Sequence, residues 1–260
     1  MKLIDTHAHL YLDNFKQDIG AVMDRAWAAG VEAVYLPAID RSEHENLFAL
    51  EAAYPDKCLA MMGLHPCYVK ADWEEEMAAV EDWLGRRSFA AVGEIGLDFY
   101  WDRSFETQQY LAFRRQLELA KHYEIPVSIH SRNATRECLD VVASLQDGRL
   151  RGVFHCFSGD AEMAREAVDL GFYLGIGGVV TYKNGGLEPA VKAVGVEHLV
   201  LETDAPYLSP VPYRGKRNEP AWLQQVAEKL GDILEMPALE IGEKTSANAC
   251  RLFKKGNKQP

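Results

Sequence analysis

Five short apolar segments of this chain each end in residues able to bind a metal ion, and this repetition constrains the fold more than any other feature. They are Leu3–His9 (LIDTHAH), Phe89–Glu94 (FAAVGE), Pro126–His130 (PVSIH), Gly152–His155 (GVFH) and Leu199–Asp204 (LVLETD). A single apolar run ending in histidine says little. Five, set among helix-period stretches, imply ligands gathered at one end of a parallel barrel, the layout of a metallohydrolase. The expected strands are Lys2–Thr6, Val31–Pro37, Cys58–Gly63, Phe89–Gly93, Val127–Ile129, Gly152–Phe154, Tyr173–Ile176 and Leu199–Thr203. Helical periodicity covers Ile19–Ala29, Glu43–Tyr54, Glu74–Leu84, Thr107–His122, Ala134–Leu145, Ala161–Leu170 and Pro189–Val194, then Pro220–Leu230 and Ala238–Phe253 after the last strand. Alternating β and α units predict parallel strands with right-handed crossovers. Eight of them fit an α/β fold of the (β/α)8 TIM-barrel type, with the metal site at the C-terminal ends of the strands. Gly30 and Gly171 sit where helices should end, and Ser158-Gly159-Asp160 offers a cap before Ala161.

Composition narrows the function classes. The chain has 260 residues and is 48% hydrophobic, enough for one large core. The start, MKLIDTHAHL, lacks the basic and long apolar regions of a signal peptide. No run approaches the roughly 18 apolar residues of a membrane span. The expectation is a soluble, cytoplasmic protein without a membrane partner. Cys58, Cys67, Cys138, Cys156 and Cys250 form no C-x-x-C pair, which argues against a disulfide framework or a structural zinc knot. Net charge is −11, which disfavours general nucleic-acid binding but not an enzyme that acts on phosphodiesters with bound cations.

Residues two apart in a strand face the same side, so His7 and His9 can reach one ion together. Glu94 at the end of strand four is poorly placed for a core unless paired. His130 and His155 end strands five and six. Asp204 follows strand eight, with Glu202 two residues earlier on the same face. Four histidines, one Glu and one Asp suit Mg2+, Mn2+ or Zn2+. Six ligands are too many for one catalytic ion with open positions, so they divide between two divalent metal ions bridged by a carboxylate. Asp5 shares the face of His7 and is either a partner to a ligand or a buried, hydrogen-bonded Asp.

These motifs resemble the TatD family of metal-dependent hydrolases and deoxyribonucleases, among the amidohydrolase-like barrels. The likeness rests on IDTHAHL at the start, GLHP at Gly63–Pro66, VGEIGLD at Val92–Asp98, IHSR at Ile129–Arg132, FHCFSG at Phe154–Gly159 and LETDAPYL at Leu201–Leu208. RGKRNEP at Arg214–Pro220 and N-x-x-R-L-F at Asn248–Phe253 complete the series. The resemblance implies one hydrolase domain over 1–260, with Lys254–Pro260 a flexible tail. It implies that His7, His9, Glu94 and Asp204 hold one ion, and that Glu94 bridges to a second held by His130 and His155. It also makes His65 a phosphate-binding or acid/base residue, the alternative being a loop histidine capping the barrel.

The chemistry expected is two-metal hydrolysis of a phosphodiester. Asp204 and Glu202 are both candidates for the general base. Arg132, Tyr207 and Arg217 are candidates to touch substrate, with Arg214, Lys216 and Asn218 in the same loop as Arg217; the alternative is a solvated surface. Phe99-Tyr100-Trp101 either stack on nucleobases or pack against the barrel mouth. With few basic residues a long duplex has little to hold it, so the expected substrate is short or single-stranded DNA entered from an end; the resemblance implies exonuclease activity, and the chain is expected to be a monomer. A second reading is an ester or amide hydrolase, such as a D-aminoacyl-tRNA deacylase-like enzyme. A third is a binding protein with structural metals.

Overall fold

A computed structural model describes residues 1–253; the tail expected to be flexible lies outside them. The strands are β1 (Leu3–Asp5), β2 (Val31–Pro37), β3 (Cys58–Met61), β4 (Val92–Asp98), β5 (Val127–Arg132), β6 (Gly152–Phe154), β7 (Phe172–Ile176) and β8 (Leu199–Leu201). Between them run α1 (Ile19–Ala28), α2 (His44–Ala53), α3 (Trp73–Arg86), α4 (Glu106–Tyr123), α5 (Thr135–Leu145), α6 (Ala161–Asp169) and α7 (Glu188–Val194). After β8 come α8 (Leu223–Leu234) and α9 (Ala238–Leu252). Local chemistry sets several of these bounds. Gly30 (φ +88°) and Gly171 (φ +90°) take the left-handed turn after α1 and α6. The Asp160 carboxylate accepts from the backbone N–H groups of Glu162 and Met163 and starts α6. Three glutamates in the first turn of α3 and Arg86 in its last suit the helix dipole.

All strand pairs are parallel, in the orders β1-β2-β3 and β4-β5-β6-β7-β8. Two seams close these sheets into the barrel. At one, a parallel bridge joins Met62 to Val92, and the Gly93 N–H donates to the Met62 carbonyl at 3.0 Å. At the other, Ala8 bridges Ala205. There the N–H of Thr6 donates to the Leu201 carbonyl (2.9 Å), that of Asp204 to His7 (2.9 Å) and that of His9 to Ala205 (2.7 Å). This second seam runs through the segments that carry His7, His9 and Asp204, so barrel closure brings these side chains together. Among the described residues, no helix is long and apolar enough to cross a membrane.

The core has two layers. Ile4, Tyr35, Met61, Val153 and Val200, with Tyr173 against them, pack inside the barrel with Leu252 of α9 and Phe253 just after it. The Phe253 ring stacks on Tyr35 at 4.3 Å. Asn248 of α9 fixes this plug by donating to the Val196 and Leu199 carbonyls at 2.9 and 2.8 Å. One end of the barrel is thereby filled with hydrocarbon, leaving the C-terminal ends of the strands for chemistry. The larger layer lies between strands and helices and includes Phe113, Leu117, Leu139, Val142, Leu199 and Leu230.

The main departure from the sequence expectation is β4. It does not stop at Gly93 but runs from Val92 to Asp98, buried throughout, so Glu94 is mid-strand. Charge at Glu94 and Asp98 made the segment look finished; buried histidines pair with both carboxylates and keep them inside. Likewise β5 runs past His130 to Arg132.

Gly96 shows how tightly β4 meets β5. Its φ is +131°, and a Cβ there would stand 2.0 Å from the His130 carbonyl oxygen. Gly96→Ala is therefore expected to cost at least about 2 kcal/mol, from backbone strain plus displacement of β5. Gly20 in α1 has only a Tyr54 hydroxyl 4.0 Å from the corresponding point, so Gly20→Ala should gain roughly 0.5–1 kcal/mol through helix propensity. Urea unfolding of both variants checks this; equal midpoints would contradict it.

Candidate metal centre

Glu94 is the middle of the site. Its Oε2 lies 3.0 Å from His7 Nε2 and 3.4 Å from His9 Nε2. Its Oε1 lies 2.9 Å from His130 Nδ1, 3.3 Å from His65 Nε2 and 3.7 Å from His155 Nε2. Asp204 faces the cluster from the β8 end, its Oδ1 3.6 Å from His9 Nε2, 3.8 Å from His155 Nε2 and 4.0 Å from His7 Nε2. Asp204 has a φ of +56°, a left-handed conformation that Asp tolerates better than most residues. All six ligands expected from the sequence, and His65, are thus brought together.

The outer nitrogen of each ring shows what its inner nitrogen can do. His7 Nδ1 lies 3.1 Å from Ser128 Oγ, and His130 Nε2 lies 2.8 Å from Asp98 Oδ2. His9 Nδ1 lies 3.1 Å from Tyr11 Oη. That hydroxyl donates to the Pro37 carbonyl at 2.6 Å, so it accepts from His9. His155 Nδ1 lies 3.0 Å from Glu202 Oε1. Each outer nitrogen thus lies beside an oxygen, and where that oxygen accepts, as Tyr11 Oη does from His9, the inner nitrogen can present a lone pair to a metal. His65 is the opposite case. Its Nδ1 accepts from the Cys67 N–H at 3.0 Å, so the neutral ring carries its proton on Nε2, facing Glu94. It is built to donate into the site, not to ligate.

The donor set fits a divalent cation. His7 Nε2 and His9 Nε2 stand 3.3 Å apart, with an oxygen beside each outer nitrogen. A proton or a metal ion between the two nitrogens holds them at such a distance. Ligands at tetrahedral angles around one zinc-sized cation stand about 3.3 Å apart, matching this spacing. His7, His9 and Glu94 lie together as one group of possible ligands and His7, His155 and Asp204 as a second; His65 stands with Glu94 and His130 but presents its Nε2–H to them.

Electrostatics point the same way. Burial and the stacked His155 ring push the His7 pKa down to about 4. Burial also opposes charge on His9 and His155, yet carboxylates outweigh it. Asp204 and Glu94 hold His9 up at about 9, and Glu202 and Glu94 hold His155 up at about 10. Burial would raise Glu94, but the surrounding imidazoles hold it well below the usual carboxylate range. The buried acids thus draw positive charge into the cluster, the same demand a metal ion meets.

Glu202 is fully buried behind His155 and also accepts from the Cys156 N–H at 2.5 Å. Asp5 accepts from the Thr203 N–H (3.0 Å) and hydroxyl (2.6 Å), tying β1 to the β8 end. Arg132 stays at the rim, its guanidinium 3.8 Å over the Tyr100 ring. Tyr207 is half exposed, with its ring 6.3 Å from that of His9. Arg217 is differently engaged from what the sequence suggested. It pairs with Asp18 through two nitrogens at 2.9 and 2.7 Å and donates to the Asn14 carbonyl, so it anchors the loop to α1. Asn218 holds the same loop by donating to the Thr203 and Tyr207 carbonyls. Asp98, Ser128 and Tyr11 are site residues that sequence reasoning missed. A signal existed: Tyr11 is two residues from His9, Ser128 two from His130 and Asp98 four from Glu94, all one-face strand spacings.

A TatD-related DNase family model matches residues 4–254. The uncharacterized metal-dependent hydrolase YabD of Bacillus subtilis is 38% identical, with 97% of this chain and 99% of the relative covered. The uncharacterized metal-dependent hydrolase TatD of Mycobacterium tuberculosis is 35% identical over 96% of this chain and 97% of its own. The crystal structure of YjjV, a TatD homologue from Escherichia coli, superposes with a TM-score of 0.90 at 32% identity, covering 98% of both chains.

Tyr11→Phe keeps the ring but removes the acceptor that orients His9. It should weaken metal binding about 10- to 100-fold with little change in secondary structure. Metal titration by calorimetry checks this, and unchanged affinity would show that Tyr11 does not orient the ligand.

Proposed function

Because the chain belongs to the TatD-related DNase family, we propose that it is a metal-dependent hydrolase of DNA phosphodiester bonds, acting on short or single-stranded strands from an end. One observation carries the two-ion form of this reading. The two oxygens of Glu94 face different histidine groups, Oε2 toward His7 and His9 and Oε1 toward His130 and His155. In this reading His7, His9, Glu94 and Asp204 hold one divalent ion, and Glu94, His130 and His155 a second. Bound Mg2+, Mn2+ or Zn2+ would activate water as a nucleophile and offset phosphate charge.

The chain's own residues then divide the remaining work. Asp204 takes the nucleophile's proton. Its side chain is 15% exposed, against 2% for Glu94 and 1% for Glu202, so it is the carboxylate that water can reach. Glu202 orients His155 and leaves the base role to Asp204. His65 Nε2–H donates to a phosphate oxygen. Arg132 and Tyr207 line the approach, and Arg217 holds the loop that carries Tyr207's neighbours in place.

Cleavage of end-labelled single-stranded DNA with Mg2+ or Mn2+ tests the reading. Wild type should shorten the strand progressively, and EDTA or His130→Ala should abolish this. His65→Ala, which removes the donor, should keep its metal content and lose about 100-fold in kcat/KM. A folded, metal-loaded wild type that leaves DNA intact but hydrolyses an aminoacyl ester would carry the deacylase reading instead.

A further inference from the structure

Trp101 is the most exposed large apolar side chain among the described residues, at 67%, and its neighbour Tyr100 is 50% exposed. They are not loosely held. Both backbone N–H groups donate to Asp98 Oδ1 at 3.0 Å. The other oxygen of that buried carboxylate holds His130 Nε2 at 2.8 Å. A single side chain therefore registers this aromatic pair against a metal-ligand histidine. The two rings meet edge to face at 4.8 Å. The Arg132 guanidinium lies over both, 3.8 Å from the Tyr100 centroid and 5.4 Å from that of Trp101.

Arg132, like Arg214 over the Tyr182 ring at 3.9 Å, differs from the ion-paired arginines near the barrel mouth. Arg217 is neutralised by Asp18, Arg25 by Glu219 and Arg41 by Glu75. Arg132 has aromatic rings for partners, with no ion pair among the described residues. A cation held on aromatic faces keeps its charge available to an anion. In a chain of net charge −11, such a cation beside the reacting centre marks where an anionic substrate is held. Flat aromatic surface next to an unneutralised guanidinium matches the two parts of a nucleotide, a planar base and its phosphate.

Resting on the phosphodiesterase reading, we propose that Tyr100, Trp101 and Arg132 form the seat of an unpaired nucleobase beside the scissile phosphate. Placing one base on the seat with its own phosphate at the reacting centre draws it away from a duplex partner, so the seat favours single-stranded or frayed ends over paired ones. Asp98 is the positioning residue that keeps the seat in register with His130.

Three substrates test this: a single-stranded oligonucleotide, the same oligonucleotide lacking its terminal base, and methyl p-nitrophenyl phosphate. Trp101→Ala should lose about tenfold or more in kcat/KM on the intact strand. It should lose under about threefold on the abasic strand and the small diester, and Trp101→Phe should restore most of the first loss. Because Trp101 is mainly exposed, neither change disturbs the core. Equal losses on all three substrates, or none on the intact strand, would overturn the seat. Failure of wild type to cleave any of them would instead overturn the phosphodiesterase reading itself.

Discussion

Glu94 is a carboxylate with almost no access to water, surrounded by five imidazoles. Everything else in the site follows from keeping it ionised there. An isolated charge at that depth would cost several kcal/mol. The barrel meets the cost by aiming rings from the ends of separate strands at the two carboxylate oxygens, and by backing each ligand ring with its own acceptor. Ser128, Tyr11, Asp98 and Glu202 are thus as much a part of the centre as the histidines they touch.

The fold contributes by separating two tasks. At one end, Tyr35, Phe253 and their neighbours fill the barrel with hydrocarbon and make it rigid. At the other, β1 and the segment after β8 are stitched together by backbone bonds that run through His7, His9 and Asp204. Ligands on opposite sides of the closing seam can come within 4 Å only if the barrel is shut. Loops beyond the strands are then free to vary. That after β8 is locked by Arg217 and Asn218, whereas that after β4 presents Tyr100 and Trp101 outward.

Much of this was legible before the structure. His7, His9, His155 and Asp204 lie at or just beyond strand ends and His130 near one, where alternation and apolar flanks point to them, and the structure brings these five side chains together around Glu94. Strand β4 runs longer than its charge suggests because histidines from other strands, and for Asp98 two backbone N–H groups as well, make Glu94 and Asp98 tolerable inside it. Arg217 was read as a substrate contact because three basic residues share its loop; the distant Asp18 that engages it is invisible along the chain. The role of His65 turned on whether a donor or an acceptor faces its outer nitrogen. Composition and spacing carry no information on that point.

Anomalous scattering from crystals grown with Mn2+ would test the central claim most directly. The account predicts two peaks per chain flanking the Glu94 carboxylate, one beside His7 and His9 and the other beside His130 and His155. A single peak, or two that do not share Glu94, would contradict it.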